Sequence, residues 1–295
     1  MAADDHWSEW LRGRRDGGDE GQRARSLARL QLIRDRVLDS AEPLAGAALL
    51  DVGSGEGLVG LAALERIGPH GSVTFCDISA SLLEHVRESV RGLGMLDRAR
   101  FVQAHAEDLE GIPDASIDAA TTRSVLIYVQ DKQRAFDELH RVLVPGGRIS
   151  LFEPINRFMF PEPEGRFWGY DVSAVAELAV KVKGAISRLE HAEAAAMMDF
   201  DERDLFAMAR RAGFARIHLE LHRDLIPGRR GAEASSLETL LDSSPNPLAP
   251  TLREALAQAL DASERERFTG CLAAALERND SELQWAVAFL VARKE

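Results

Sequence analysis

The sequence predicts an α/β protein: a doubly wound, mostly parallel sheet of seven strands carrying a helical cap. Three observations support this. Between residues 46 and 153, short apolar runs of strand character alternate with amphipathic helical stretches, the pattern of successive crossover units. The first run, residues 47–52, ends in Gly53-Ser54-Gly55-Glu56-Gly57 and passes directly into helix-like sequence; strand, glycine turn and helix open a nucleotide-binding domain. Past Glu153 the alternation breaks, and helical segments separate two late strand-like runs at 215–222 and 283–292.

Residues 1–21 are polar and glycine-rich, with Trp7, Trp10 and Leu11 as isolated apolar anchors. They read as a frayed terminus or as an arm folded over a ligand. Apolar positions 27, 30, 33, 37 and 38 make a helical stripe through 22–40, ended by Pro43 and Gly46. After the strand at 47–52 come a helix over about 57–67, the turn Gly68-Pro69-His70-Gly71, and a strand at 72–76 that delivers Asp77 at its end. A helix over 79–91, capped by Ser79 or Ser81, closes at Gly92 and Gly94. Strands at 100–104 and 117–122 precede a helix at 131–143, and Pro145-Gly146-Gly147 turns the chain into a strand at 148–152. Pro154, Pro161 and Pro163, with Gly165 and Gly169, then interrupt an aromatic stretch. The helical stripe over 172–189 reads either as a lid over a substrate or as a helix packed on the sheet or on a second subunit of a homodimer. Helices at 201–212, 236–241, 251–260 and 263–277 complete the inventory. The expected divisions are an N-terminal arm (1–45), an α/β core (46–153), a lid insertion (154–200), a core helix and strand (201–223), a helical insertion (224–281) and a final core strand (282–295).

The formal net charge of −12 disfavours nucleic acid and anionic membrane as partners and suits a small cationic or neutral molecule. Cys76 and Cys271 form neither a disulfide framework nor a metal spacing, which fits a reducing cytoplasm. No histidine, cysteine and carboxylate cluster has metal-ligand spacing, so no metal is expected. Neither a signal peptide nor a membrane-spanning run is expected.

The glycines at 53, 55 and 57 have GxGxG spacing, whereas a dinucleotide fingerprint would need its third glycine at position 58, which is Leu58. Asp51 and Glu56 flank the turn. Carboxylates repel a pyrophosphate at short range and attract a cationic amino-acid ligand such as S-adenosylmethionine (SAM). Asp77, twenty residues past Gly57, can accept hydrogen bonds from both ribose hydroxyls, or it caps the following helix. Asp108 could accept from an adenine amino group, and Asp118, at the far end of its strand, reads as structural.

Residues 49–57, Asp77, Ala106-Glu107-Asp108, 116–122 and Arg141-Val142-Leu143-Val144-Pro145-Gly146-Gly147 resemble, in order and spacing, the successive motifs of class I SAM-dependent methyltransferases. The ubiquinone/menaquinone-biosynthesis type and its small-molecule cousins are the nearest in pattern, over about residues 25–153. The resemblance implies a SAM site drawn from Asp51, Gly53, Ser54, Gly55, Gly57, Asp77, Ile78, Ala106, Glu107 and Asp108, with Arg123 and Ser124 along the methionine part. Amino-methyltransferases of DNA and of protein glutamine carry an (Asn/Asp/Ser)-Pro-Pro-(Tyr/Phe) loop where this chain reads Thr122-Arg123-Ser124-Val125, which argues against a nucleic-acid substrate.

Methyl transfer from a sulfonium is an in-line displacement on an activated donor, so the protein chiefly supplies alignment and a dry site. A base is needed only when the nucleophile arrives protonated. Glu153, ending the strand at 148–152, is the first candidate; Glu162, Glu164 and Asp171 follow, Tyr128 could line the pocket, and His105 and His222 are alternative bases. Several carboxylates near an aromatic mouth would suit a guanidinium held by bidentate bonds. The expected reaction is therefore N-methylation of a guanidino or amino group on a small polar metabolite. O- or C-methylation of a biosynthetic intermediate is the main alternative. A SAM-binding protein without turnover and a nicotinamide-dependent oxidoreductase are alternatives of other classes.

Overall fold

The computed structural model describes residues 5–190, 192–228 and 236–295. In chain order the elements are α1 (His6–Arg12), α2 (Glu20–Ser40), β1 (Ala48–Val52), α3 (Leu58–Arg66), β2 (Ser72–Asp77), α4 (Ala80–Gly92), β3 (Ala99–Gln103), β4 (Ile117–Arg123), α5 (Lys132–Val142), β5 (Leu143–Pro154), β6 (Arg166–Phe167), β7 (Tyr170–Asp171), α6 (Ala176–Leu189), α7 (Glu202–Arg211), β8 (Ala215–Pro227), α8 (Leu237–Asp242), α9 (Leu252–Ala259), α10 (Ala262–Arg278) and β9 (Glu282–Arg293).

Seven strands form one sheet in the order β3-β2-β1-β4-β5-β9-β8. β3, β2, β1, β4 and β5 run parallel. β9 pairs antiparallel to β5, with Phe152 opposite Phe289 and the two rings 5.0 Å apart. The central strands are apolar on both faces, as a sheet covered by helices requires: Leu49, Leu50, Val73, Phe75 and Ala119 are wholly buried. The chain winds outward from β1 in one direction to β3 and then outward through β4 in the other. The reversal lies between β1 and β4, so their carboxyl ends bound the crevice where an open α/β sheet takes its ligand.

The helices start on side chains suited to satisfy their first amides. Ser79 accepts from Leu82 N–H at 3.0 Å and Asp131 from Arg134 N–H at 3.0 Å. Asp201, Thr251 and Asp261 each form a reciprocal capping box. Asp118 accepts from Ala48 N–H at 2.8 Å, tying the start of β4 to that of β1.

The chain divides into two compact units. One contains Arg29–Ile155, Ala196–Leu221 and Val287–Glu295, with β1 to β5 and the helices that cover them. The other contains the residues up to Ala28, Asn156–Ala195 and His222–Ala286. Its core is apolar, built from Phe167, Leu178, Val182, Leu252, Phe268 and Leu272 among others. Residues 5–19 are ordered in it. Asp5 caps α1, Trp10 donates its indole N–H to the Ser244 carbonyl at 2.9 Å, and Asp19 accepts from the Thr239 hydroxyl at 3.0 Å. The frayed-terminus reading is thereby corrected: the indole donor of Trp10 is taken by Ser244, and the Arg15 guanidinium lies 5.7 Å from the centre of its ring. Two further features lay outside the sequence reading. β6 and β7 form a two-residue hairpin around Trp168 and Gly169, both at positive φ (49° and 81°), and β8 runs to Pro227 rather than stopping at 222.

Candidate active site

The turn after β1 is left-handed at all three glycines, with φ of 66°, 54° and 84° at Gly53, Gly55 and Gly57. The end of β2 pins it by two bonds. Ser54 N–H donates to the Cys76 carbonyl at 3.0 Å, and Gly55 N–H donates to Asp77 Oδ2 at 2.8 Å. Asp77 Oδ1 also accepts from Ser79 N–H at 2.9 Å, so this carboxylate closes its own turn while holding the glycine turn. Ser54 Oγ is buried without a hydrogen-bond partner.

The turn after β3 is fixed by α5. Glu107 Oε1 accepts from Asp131 N–H, the Glu107 carbonyl accepts from Arg134 Nε at 2.9 Å, and Leu109 N–H donates to Glu138 at 2.8 Å. Ala106 is half-buried and Asp108 exposed, its N–H closing the turn onto the His105 carbonyl. Ile78 is half-buried, its carbonyl accepting from Gln103 Nε2 at 3.0 Å.

The segment after β4 is bent sharply. Ser124 lies at φ 55°, a conformation that L residues seldom adopt. Beneath it sits Glu153, wholly buried at the end of β5. Glu153 Oε1 accepts from Val125 and Leu126 N–H, both at 3.0 Å, and Oε2 from Ile127 N–H at 3.3 Å. Burial pushes its carboxyl up to about 7, against the opposing pull of those amides and of Arg123.

A methyltransferase-domain family model matches residues 50–151. A ubiquinone/menaquinone biosynthesis C-methyltransferase of Cronobacter sakazakii is 31% identical over 189 residues, covering 62% of this chain and 72% of its own length. The chain belongs to the SAM-dependent methyltransferases. The corresponding Hahella chejuensis enzyme is 38% identical over 117 residues, 40% of this chain, and the chain spans only about half of that relative (47%). Among solved structures, the YcgJ protein of Bacillus subtilis superposes with a TM-score of 0.54 at 18% identity, covering 89% of this chain and 97% of that one. A phosphoethanolamine N-methyltransferase of Haemonchus contortus, solved with phosphomonomethylethanolamine and S-adenosylhomocysteine (SAH), gives 0.52 at 18% identity over 98% and 56%. At such identities the likeness is one of fold.

In this methyltransferase, several residues expected at the ligand do other work. Asp51 is buried and faces inward: Oδ1 accepts from Thr121 Oγ1 and Oδ2 from Gly60 N–H, each at 2.9 Å. Burial pushes its carboxyl to about 7, and its two bonds brace β1 against β4 and α3. Gly60 is required there, because a Cβ would stand 2.3 Å from the Phe75 ring and 3.1 Å from Asp51 Oδ2. Glu153, expected as a base, has both oxygens engaged by backbone amides out of reach of water. Glu162 holds its own hairpin, accepting from Gly169 N–H at 2.7 Å and pairing with Lys183 at 2.9 Å. Asp171 accepts from the amide and hydroxyl of Ser173. Tyr128 is half-buried, its N–H donating to the Val125 carbonyl at 2.9 Å; Glu164 and His105 are exposed. Of the expected set, the glycine turn, Asp77, Arg123 and Ser124 lie at the carboxyl ends of β1, β2 and β4.

Sequence reading missed Gly60 and Lys132. An isolated glycine in an apolar helical run signals close packing. Lys132 lies on one stripe with Ala135, Phe136, Leu139 and Val142, which points it inward. Its Nζ donates to the carbonyls of Val129 (2.8 Å) and Ala196 (3.0 Å) and pairs with Asp199 at 2.6 Å.

Proposed function

We propose that this methyltransferase transfers the methyl group of SAM to a carbon of a small biosynthetic intermediate, an electron-rich ring of the phenol or hydroquinone kind. The observation that carries this over the guanidine reading is the state of the carboxylates. Bidentate capture of a guanidinium needs unoccupied carboxylate oxygens. Of the carboxylates that reading relied on, Glu153 is taken up by backbone amides, Glu162 by the Gly169 N–H and Lys183, and Asp171 by Ser173, while Glu164 is exposed. A carbon nucleophile makes no such demand; alignment and exclusion of water suffice once its ring hydroxyl has lost a proton. The relatives named above as C-methyltransferases of ubiquinone and menaquinone biosynthesis support the same choice.

SAM would supply an activated methyl group, and the fit of this chain to it rests on the glycine turn. Ser54 Oγ is buried there with no partner, and a ligand donor or acceptor is what it lacks. Asp77 accepts from the amides of Gly55 and Ser79 at the end of β2, where a ribose hydroxyl would be met. Asp108 is exposed after β3, where an adenine amino group would be met. Arg123 and Ser124 would flank the methionine part. The partner is a small molecule rather than nucleic acid or membrane, in keeping with the net charge of −12. Among the described residues, no helix is long and apolar enough to cross a membrane and no group of side chains could hold a metal.

The test is an incubation with deuteromethyl-SAM and a panel of hydroquinones, phenols, amines and arginine. SAH release and product mass are followed, and the product's NMR spectrum locates the label. Label on a ring carbon is the expected result. Label on a guanidine nitrogen would reinstate the guanidine reading, and label on oxygen would make the enzyme an O-methyltransferase.

A further inference from the structure

The loop from Arg123 to Val129 is held from several directions at once, and the connections share one feature. Ser124 N–H donates to the Phe152 carbonyl at 2.8 Å, fixing the strained φ of 55° against β5. The next three amides, of Val125, Leu126 and Ile127, converge on the single carboxylate of Glu153. Thr122 Oγ1 lies 3.5 Å from the same Oε1. The Val125 side chain then packs directly against Gly53: a Cβ on Gly53 would fall 2.3 Å from Val125 Cγ2. The glycine turn after β1 therefore rests on a side chain whose backbone Glu153 holds. Three consecutive amides near αR, after a residue in αL, form a concave array that would attract an anion from solution. Here a buried carboxylate of the protein fills that array.

We infer that Glu153 is a positioning residue of the methyl-transfer site: by accepting the amides of Val125, Leu126 and Ile127 it holds the strained loop after β4 against Gly53, and so sets the shape of the SAM seat. It acts through the loop and touches neither donor nor acceptor. This inference rests on the reading of the glycine turn as the SAM seat. It differs from a base in what the carboxylate must keep. A base needs its titrating oxygen. A clamp needs acceptors, and glutamine retains one, enough for Val125 and Leu126, which share Oε1.

The experiment measures SAH affinity by calorimetry on the full chain for wild type, Glu153→Gln and Glu153→Ala. Amide hydrogen exchange over residues 122–129 is followed in parallel. Ser150→Ala is the control. It removes a buried hydrogen bond to the Val37 carbonyl (2.8 Å) on the same strand and leaves the loop alone. The expected order is an SAH Kd within about threefold of wild type for Gln and at least tenfold weaker for Ala, with exchange at 125–127 accelerated in both and most in Ala. Ser150→Ala should lose stability with Kd unchanged. If the Ala chain does not fold, the Gln chain decides alone: faster exchange at 125–127 with a modest loss of affinity supports the clamp. Unaltered exchange and affinity in Gln and Ala, with wild type binding SAH, overturns the clamp and leaves the cofactor reading standing. Wild type that fails to bind SAH overturns the cofactor reading and the inference with it.

Discussion

At Asp77 one carboxylate closes two turns, and that double use decides what its loss does. Gly55 N–H loses its acceptor, the glycine turn keeps only the Ser54 bond of its two described ties to β2, and a ribose would lose its hydroxyl acceptor. Asp77→Ala should weaken SAH binding by about 1–3 kcal/mol, the cost of leaving such donors unpaired. Calorimetry checks it, and an unchanged Kd would remove Asp77 from the ribose position. Asp51 shows why residue type and spacing alone mislead. It stands two residues before Gly53, yet its oxygens turn to Thr121 and Gly60, because β4 and α3 offer a hydroxyl and an amide that would otherwise be buried unpaired. The glutamates taught the same lesson. That Glu153 ends a strand at the ligand edge was legible; that three amides of a neighbouring loop claim it was not, since those amides meet it only after β4 and β5 pair.

Elements were far more legible than side-chain directions. The strands and helices from β1 to β5, and the capping of α4 by Ser79, follow from local pattern: apolar runs, helical stripes and cap residues. What stayed hidden depends on distant partners. Trp10 and Ser244 are 234 positions apart, and no local signal in residues 1–21 announces the bond that orders α1. Nothing local required the turn at Trp168 either, since a bulky residue seldom takes positive φ; the hairpin holds it there, with Gly169 N–H on Glu162 and the Gly169 carbonyl accepting from Glu282 N–H at 2.8 Å. Lys132 shows a tertiary bond of this kind between elements. It carries the start of α5 onto the segment before α7 through two carbonyls and Asp199. Lys132→Met keeps the apolar stem and removes every donor. It should cost about 1–3 kcal/mol, as expected when buried carbonyls lose their partner. Urea unfolding measures the loss, and faster amide exchange around residues 196–200 should accompany it. A variant as stable as wild type would show that the bonds of Lys132 are replaceable by water.

For the molecule as a whole, Asp51 and Glu153 set an unusual dependence of stability on pH. Burial is the chief cause of both shifts, raising Asp51 from 3.8 and Glu153 from 4.5 to about 7. Arg123 opposes both shifts, and Asp77 adds to that of Asp51. The folded chain thus holds two protons that the unfolded chain releases near pH 4. Between those limits the folded state binds more protons, so stability falls as pH rises. The contribution is fully present below pH 4, is lost progressively up to about 7, and is constant beyond. Each site is worth about 3–4 kcal/mol at 1.36 kcal/mol per pH unit. Carboxylates held low by a cation, such as Glu138 beside Arg141, act with the opposite sign, but their window lies below 4.5. Self-repulsion from a net charge of −12 also grows with pH and so reinforces the decline. Urea midpoints should therefore drop between pH 5 and 7 and level off at 8, and Asp51→Asn or Glu153→Gln should each flatten part of that slope. A midpoint that climbs steadily from pH 5 to 7 would mean that both carboxylates are already ionised in the fold, with the amides and Arg123 outweighing their burial.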